Sequence, residues 1–259
     1  MMMDLSTLAF VTGAALLAGF VDSIAGGGGL LALPALLLAG LDPVAALATN
    51  KLQGTFGTAS ATFAYWRKGH VDFKSSWKAV AATFVAAMLG VAAVHLAPTN
   101  VLKAILPIVL ILIALYFAFA PKLGSQAQTP RLSQTAMNFA VLPAIGFYDG
   151  IFGPGTGSFF LLALVTLTGS SLIAGAGKTR LLNFTSNIAA LVAFAFTGKI
   201  IWVVGLSMGV AQVIGAQLGA HVAMKNGAKI IRPLLVLVCS AVAVKLLADP
   251  ANPIRAFFP

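Results

Sequence analysis

Two cations lie inside apolar sequence among uncharged hydrogen-bonding side chains. Lys51 stands in Ala48-Thr-Asn-Lys-Leu-Gln-Gly54, and Arg180 in Lys178-Thr-Arg-Leu-Leu-Asn183. With Asn50, Gln53, Thr55, Asn183 and Asn187 nearby, an ammonium and a guanidinium offer charge-assisted donors to an oxyanion. Positions 50, 53, 54 and 57 recur at helical spacing, as do 180, 183 and 187, so each polar set shares one helix face. The alternative is that both cations snorkel to a membrane interface as anchors, a role that suits Lys178 better.

Asp22 and Asp149 are two of only six acidic residues, and each precedes a glycine-rich stretch inside an apolar run. A carboxylate in that setting is a candidate for carrying a proton or coupling ion. Its other role is structural, accepting amide hydrogen bonds from broken backbone or pairing with a cation of its own half of the chain. The glycines are Gly26 to Gly29, with Gly26 and Gly28 foremost, and Gly153-Pro-Gly-Thr-Gly157, which supplies Gly153, Gly155 and Gly157. Glycine costs about 1 kcal/mol per residue in a helix interior, so such clusters open the backbone. Irregular backbone at membrane depth survives only where protein buries it or it lines a cavity. The amides opening the next half-helix, at its positive dipole end, then form an anion site. Close helix packing through small residues is the competing explanation.

Other motifs carry no chemistry. Gly177-Lys-Thr179 imitates the end of a phosphate-binding loop, but Leu172 stands where that loop needs glycine. Asn183-Phe-Thr185 matches a glycosylation sequon inside a predicted membrane helix. His70, His95 and His221 lack metal-ligand spacing, and Cys239 is the lone cysteine, read as a buried small hydrophobe. No nucleophile, base and orienting group stand at a recognisable spacing, and no soluble unit is present to hold a cofactor. The sequence therefore predicts no catalytic residues, no metal site and no cofactor.

The elements that must position these residues follow from composition. Of 259 residues 59% are hydrophobic and 8% charged, and the mean hydropathy is +0.99. Such a chain is an all-α polytopic membrane protein with the lipid bilayer as its solvent. The excess of 16 Lys and Arg over 6 Asp and Glu punctuates apolar runs, as cytoplasmic loops require, and indicates no nucleic-acid partner. The N-terminus has no basic region before its apolar run, so the first helix is expected to be retained.

Predicted segments are Leu5 to Ala25, a short Leu30 to Gly40 with Pro34 interrupting its helix, Val44 to Trp66, Ala79 to Ala97 and Val101 to Ala120. A polar linker over 121–135 follows. The pattern then repeats as Ala136 to Phe152, a short Phe159 to Leu167, Leu172 to Thr197, Ile200 to Ala223 and Ile230 to Ala248. This predicts about eight long helices plus two short ones, in two transmembrane repeats over 1–120 and 136–259. Gly19-Phe-Val-Asp-Ser-Ile-Ala-Gly-Gly-Gly28 matches Gly146-Phe-Tyr-Asp-Gly-Ile-Phe-Gly-Pro-Gly155 at six of ten positions. After a two-residue slip Lys51 falls on Arg180, Gly69 on Gly198, Gly90 on Gly219 and Lys103 on Arg232. The four cations of Arg67 to Lys78 mark the cytoplasmic side. If the short segments cross, the repeats are inverted and Lys122, Arg131, Lys178, Arg180, Lys225, Lys229 and Arg232 also lie toward the cytoplasm. If they do not, the repeats are parallel and most of these cations face outward. Charge favours inversion.

These residues resemble the TauE/SafE sulfite exporter family. The likeness rests on GFVDSIAGGGGLLALPALLLAGLDPVAALATNKLQGTFGTASATFAYWRKGHVDF, on GFYDGIFGPGTGSFF and on KTRLLNFTSNIAALVAFAFTGKI, and covers almost the whole chain. Its motif residues fall here at Asp22, Gly26, Gly28, Asn50, Lys51, Gln53 and Gly54, then at Asp149, Gly153, Gly155, Gly157, Arg180, Asn183 and Asn187. The second copy departs by Pro154 within the glycines and by Leu182 where the first has Gln53. The resemblance implies an inner-membrane, multi-pass secondary transporter, an exporter of small sulfur-containing anions such as sulfite or organosulfonates, working by alternating access. A passive anion channel, or a carrier of another small anion, is the alternative. In this reading the glycine amides with Lys51 and Arg180 bind charge, Asn50, Gln53, Asn183 and Asn187 select geometry, and Asp22 or Asp149 could carry a proton.

Overall fold

The computed structural model describes residues 4–25, 27–119 and 129–222, with positions 244 and 248. Among these residues every regular element is helical: α1 (Leu5–Ala25), α2 (Gly29–Leu38), α3 (Pro43–Arg67), α4 (Phe73–Leu96), α5 (Thr99–Phe119), α6 (134–151), α7 (Thr156–Leu167), α8 (Leu172–Ala195) and α9 (Trp202–Val222). Apart from positions 244 and 248, the segment predicted at Ile230 to Ala248 lies outside the described residues, as do Cys239, the cations Lys122, Lys225, Lys229 and Arg232, and most of the linker.

The distribution of side chains is that of a protein solvated by lipid. Arg180 and Lys51 are the largest fully buried side chains among the described residues, whereas Leu96, Phe119 and Phe196 are 86%, 81% and 87% exposed. In water that arrangement would be unstable. By length and composition three helices are fit to cross a membrane, over Leu5–Ser23, Phe73–Leu96 and Trp202–Gly219. Helices α3 and α8 are as long but carry the buried polar side chains.

Local chemistry sets the boundaries. Asp42 caps α3 by accepting from Val44 N at 3.1 Å, with Pro43 opening the helix. Asp72 caps α4 by accepting from Lys74 N and Ser75 N, which starts that helix at Phe73, ahead of the apolar run predicted from Ala79. Hydrogen bonds from Ser75, first its side chain and then its backbone, hold the Asp72 carboxyl below the usual range at this exposed end. Pro143 has no amide to give α6, and the helix accommodates its ring by widening into a π turn over Met137–Val141. Pro34 does not interrupt its helix as expected: α2 runs through it to Leu38. Leu30 to Leu36 are all buried, so tertiary packing holds the turn whose hydrogen bond Pro34 removes.

The two halves interlock. Helix α1 packs along α9 and α6 along α4, while α3 packs on both α8 and α9, and α4 on α8. Gly19 of α1 lies against the Gln212 carbonyl and Gly219 of α9 against the Phe20 carbonyl. Gly146 of α6 lies against Thr83, and Gly90 of α4 against the Phe147 carbonyl. None of these four has room for a Cβ, so small residues set the interhelical distance. Helices α3 and α8 run antiparallel. Ile201 N, just past α8, donates to Thr49 Oγ1 near the start of α3 at 3.1 Å. At the other end the His70 carbonyl, just past α3, rests on Gly177 near the start of α8.

Candidate functional site

The glycine clusters do break the helices, between Ala25 and Gly29 and between Ile151 and Thr156. Gly153 and Gly155 take φ of 90° and 80°, a region open to glycine and costly for other residues. A Cβ on Gly153 would also come within 2.9 Å of Lys51 Nζ, so the missing side chain makes room for that cation. On Gly28 a Cβ would meet that of Asp22 at 2.8 Å, so glycine lets the start of α2 lie against the last turn of α1.

Each aspartate ties a break to the opposite half. Asp22 Oδ1 accepts from Gly28 N at 3.1 Å, while Oδ2 lies 3.6 Å from Arg180 Nη1. Asp149 Oδ1 accepts from Thr156 Oγ1 at 2.9 Å and lies 2.8 Å from Lys51 Nζ. The expectation that an aspartate pairs with a cation of its own half is therefore corrected: both pairs cross between halves. The cause is the interlocked packing, which brings α1 and α8 together at one pair and α6 and α3 at the other. Each carboxylate meets the positive start of the half-helix after its own break, so the protein supplies the anion these starts attract.

The pairs leave donors over. Arg180 Nη2 donates to the Ser23 carbonyl at 3.3 Å, but its Nε and Nη1 have no hydrogen-bond acceptor among the described residues, and Lys51 Nζ meets Asp149 off hydrogen-bond alignment. Removing one member of such a buried pair typically costs about 3–5 kcal/mol, because the other charge is left uncompensated.

Between the pairs lies a cavity of about 20 Å³, room for about one water molecule. Of the residues expected at the site, Asp22, Asn50, Gln53, Asp149, Gly153, Gly157, Asn183 and Asn187 line it, with Gly29, Gly54, Thr58 and Gln212. Gly28, Lys51, Gly155 and Arg180 are not part of that lining, and Gly26 lies outside the described residues. Gln53 Nε2 donates to Asn50 Oδ1 at 2.8 Å, and Asn187 Nδ2 to the Asn183 carbonyl at 2.7 Å, so neighbouring amides orient one another. Thr55, Thr58, Thr62 and Thr185 return their hydroxyls to the carbonyl four residues earlier, satisfying themselves within the helix.

Gln212 is the lining residue the motifs did not reveal. It is 2% exposed, and its amide crosses to α3 over Gly57, where any side chain would displace it. A glutamine in an apolar helix was the available signal, one it shares with the exposed Gln217 of the same helix.

A second, open cavity of about 460 Å³ lies between α1, α3, α7, α8 and α9. Ser23 forms part of its wall, next to the Arg180–Asp22 pair, and Tyr65, Lys68 and His70 stand in its lining at the end of α3. Among the described residues no three His, Cys, Asp or Glu side chains are grouped as metal ligands.

The family model described as "Sulfite exporter TauE/SafE" matches residues 11–246. The "Probable membrane transporter protein ORF9" of Sinorhizobium sp is 50% identical over 248 residues, covering 96% of this chain and 95% of that protein. The "Probable membrane transporter protein YfcA" of Escherichia coli (strain K12) is 46% identical over 235 residues, with 91% and 87% covered. A "Probable membrane transporter protein" of Haemophilus influenzae is 41% identical over 246 residues, with 95% and 96% covered. No solved structure matches the chain. With the match running through both broken helices and both cation-bearing helices, this chain belongs to the TauE/SafE sulfite exporter family.

Proposed function

We propose that this protein is a secondary transporter of small sulfur-containing anions, sulfite or an organosulfonate, across the inner membrane by alternating access. The observation that carries this reading is the pair of buried, reciprocal Asp–cation contacts in which Arg180 and Lys51 keep N–H groups without acceptors among the described residues. An oxyanion is the ligand that such donors accept at least cost.

The two halves are read as inverted repeats. The antiparallel run of α3 against α8 supports this, as does the glycine contact that recurs with partners exchanged. In this topology Arg67, Lys68, Lys74, Lys78, Arg131 and Lys178 share the cytoplasmic side, because Arg131 N bonds the Leu167 carbonyl just before α8 begins. The wider cavity, with Lys68 and His70 in its lining, then opens inward. An anion entering it is drawn toward Arg180, whose contact with Asp22, at 3.6 Å, is longer than the 2.8 Å of Lys51 to Asp149 on the outer side. Transport consists of loosening one pair while the other tightens, as one half moves against the other. Outward movement of an anion from a cell negative inside is favoured by about 2.3 kcal/mol per charge per 100 mV, so export needs no further driving ion.

Counterflow of labelled sulfite in proteoliposomes tests the reading, with taurine and sulfoacetate as competitors. Saturable counterflow, stimulated by unlabelled substrate on the far side, is expected. Flux without saturation would make the protein a channel, and no sulfite movement from folded protein would remove sulfite as the substrate.

A further inference from the structure

The small cavity holds more than an anion carrier requires, because the unpaired buried polar atoms of the residues that line it are all oxygens. Asp149 Oδ2, Gln53 Oε1 and Gln212 Oε1 are buried acceptors with no hydrogen-bond partner among the described residues, on side chains belonging to residues 1%, 1% and 2% exposed. Gln53 is turned this way by its donation to Asn50 Oδ1, which leaves its carbonyl end for the cavity. A buried polar atom left unpartnered costs about 1–3 kcal/mol, so three such acceptors on residues lining one small cavity call for a positively charged or donating occupant.

Size and dipoles narrow the choice. A volume of about 20 Å³ excludes a sulfonate but suits one small dehydrated ion. Hard cations take oxygen ligands from carboxylates and amide carbonyls. Asp22 and Asp149 sit in the last turns of α1 and α6, so the cavity lies at the negative ends of two broken helices, where cations are favoured. The positive starts of α2 and α7 are already met by the same carboxylates.

We propose that this cavity binds a sodium ion through Asp149 Oδ2, Gln53 Oε1 and Gln212 Oε1. The inference deepens the transporter reading: the cation would sit beside an anion on Arg180, and each would offset the other's charge near the midplane.

The test needs no transported substrate, so its failure is separate from a failure of sulfite counterflow. The unfolding midpoint of the purified full chain in detergent is measured against NaCl, KCl and choline chloride at constant ionic strength. A saturable rise of about 5 °C in Na⁺ alone is expected, lost in both Gln53→Leu and Gln212→Leu. Leucine is chosen because Leu182 holds the position matching Gln53. Equal midpoints in all three salts would mean that water alone fills the cavity, and a Na⁺ shift intact in both variants would place the ion elsewhere; either overturns the proposal. Should the variants not fold, saturable binding of radioactive Na⁺ to the unaltered protein decides, and its absence overturns the proposal.

Discussion

At the residue scale, the charged groups were the most legible part of this sequence and their pairing the least. Lys51, Arg180, Asp22 and Asp149 stand out because a charge in apolar sequence needs a reason. Which aspartate meets which cation depends on how the halves interlock, and no spacing along the chain encodes that. The amide-bearing positions 50, 53, 183 and 187 were readable from helical spacing, whereas Gln212 required the fold to bring α9 over Gly57. Energetics separate structure from function here. Lys51→Met alone should lower stability by about 3–5 kcal/mol by stranding Asp149, and Lys51→Met with Asp149→Asn should recover most of it. Neither should transport. Thermal midpoints read beside anion flux check both statements, and a stable double variant that still transports would remove Lys51 from the anion path.

At the element scale, the apolar runs located every described helix, and the errors lie where capping or packing overrode hydropathy. Asp72 draws the start of α4 ahead of its apolar run, and buried neighbours carry α2 through Pro34. The glycine pairs Gly90 with Gly219 and Gly19 with Gly146 were visible as a repeat, but their use as contact surfaces was not, because contact partners come from the other half. Two substitutions distinguish these uses of glycine. Gly90→Ala places a methyl against the Phe147 carbonyl and should destabilise by about 1–3 kcal/mol. Gly13→Ala, with nothing within 4 Å of the added Cβ, should be neutral or stabilise by about 0.5–1 kcal/mol through helix propensity. Thermal unfolding of both in one detergent is the check, and equal effects would contradict the close-packed contact.

At the scale of the whole molecule, the cations and the antiparallel run of α3 against α8 both support the proposed inverted topology. In a Cys239→Ser background, Ser171→Cys should react with a membrane-impermeant thiol reagent from the cytoplasmic side and Lys199→Cys from the outer side. The opposite labelling, with Arg67 to Lys78 cytoplasmic, would fit parallel repeats and contradict the inverted reading, and both on one side would mean that α8 does not cross the membrane. On this topology the proposed transport cycle has the wider cavity deliver an anion to Arg180, and the cycle turns on that step. Its most direct test is sulfite counterflow by Arg180→Lys beside Arg180→Gln, each confirmed as folded by its unfolding midpoint. The account expects the lysine variant to keep saturable exchange with a raised KM and the glutamine variant to lose it. Exchange by Arg180→Gln with the KM and rate of the unaltered protein would contradict it.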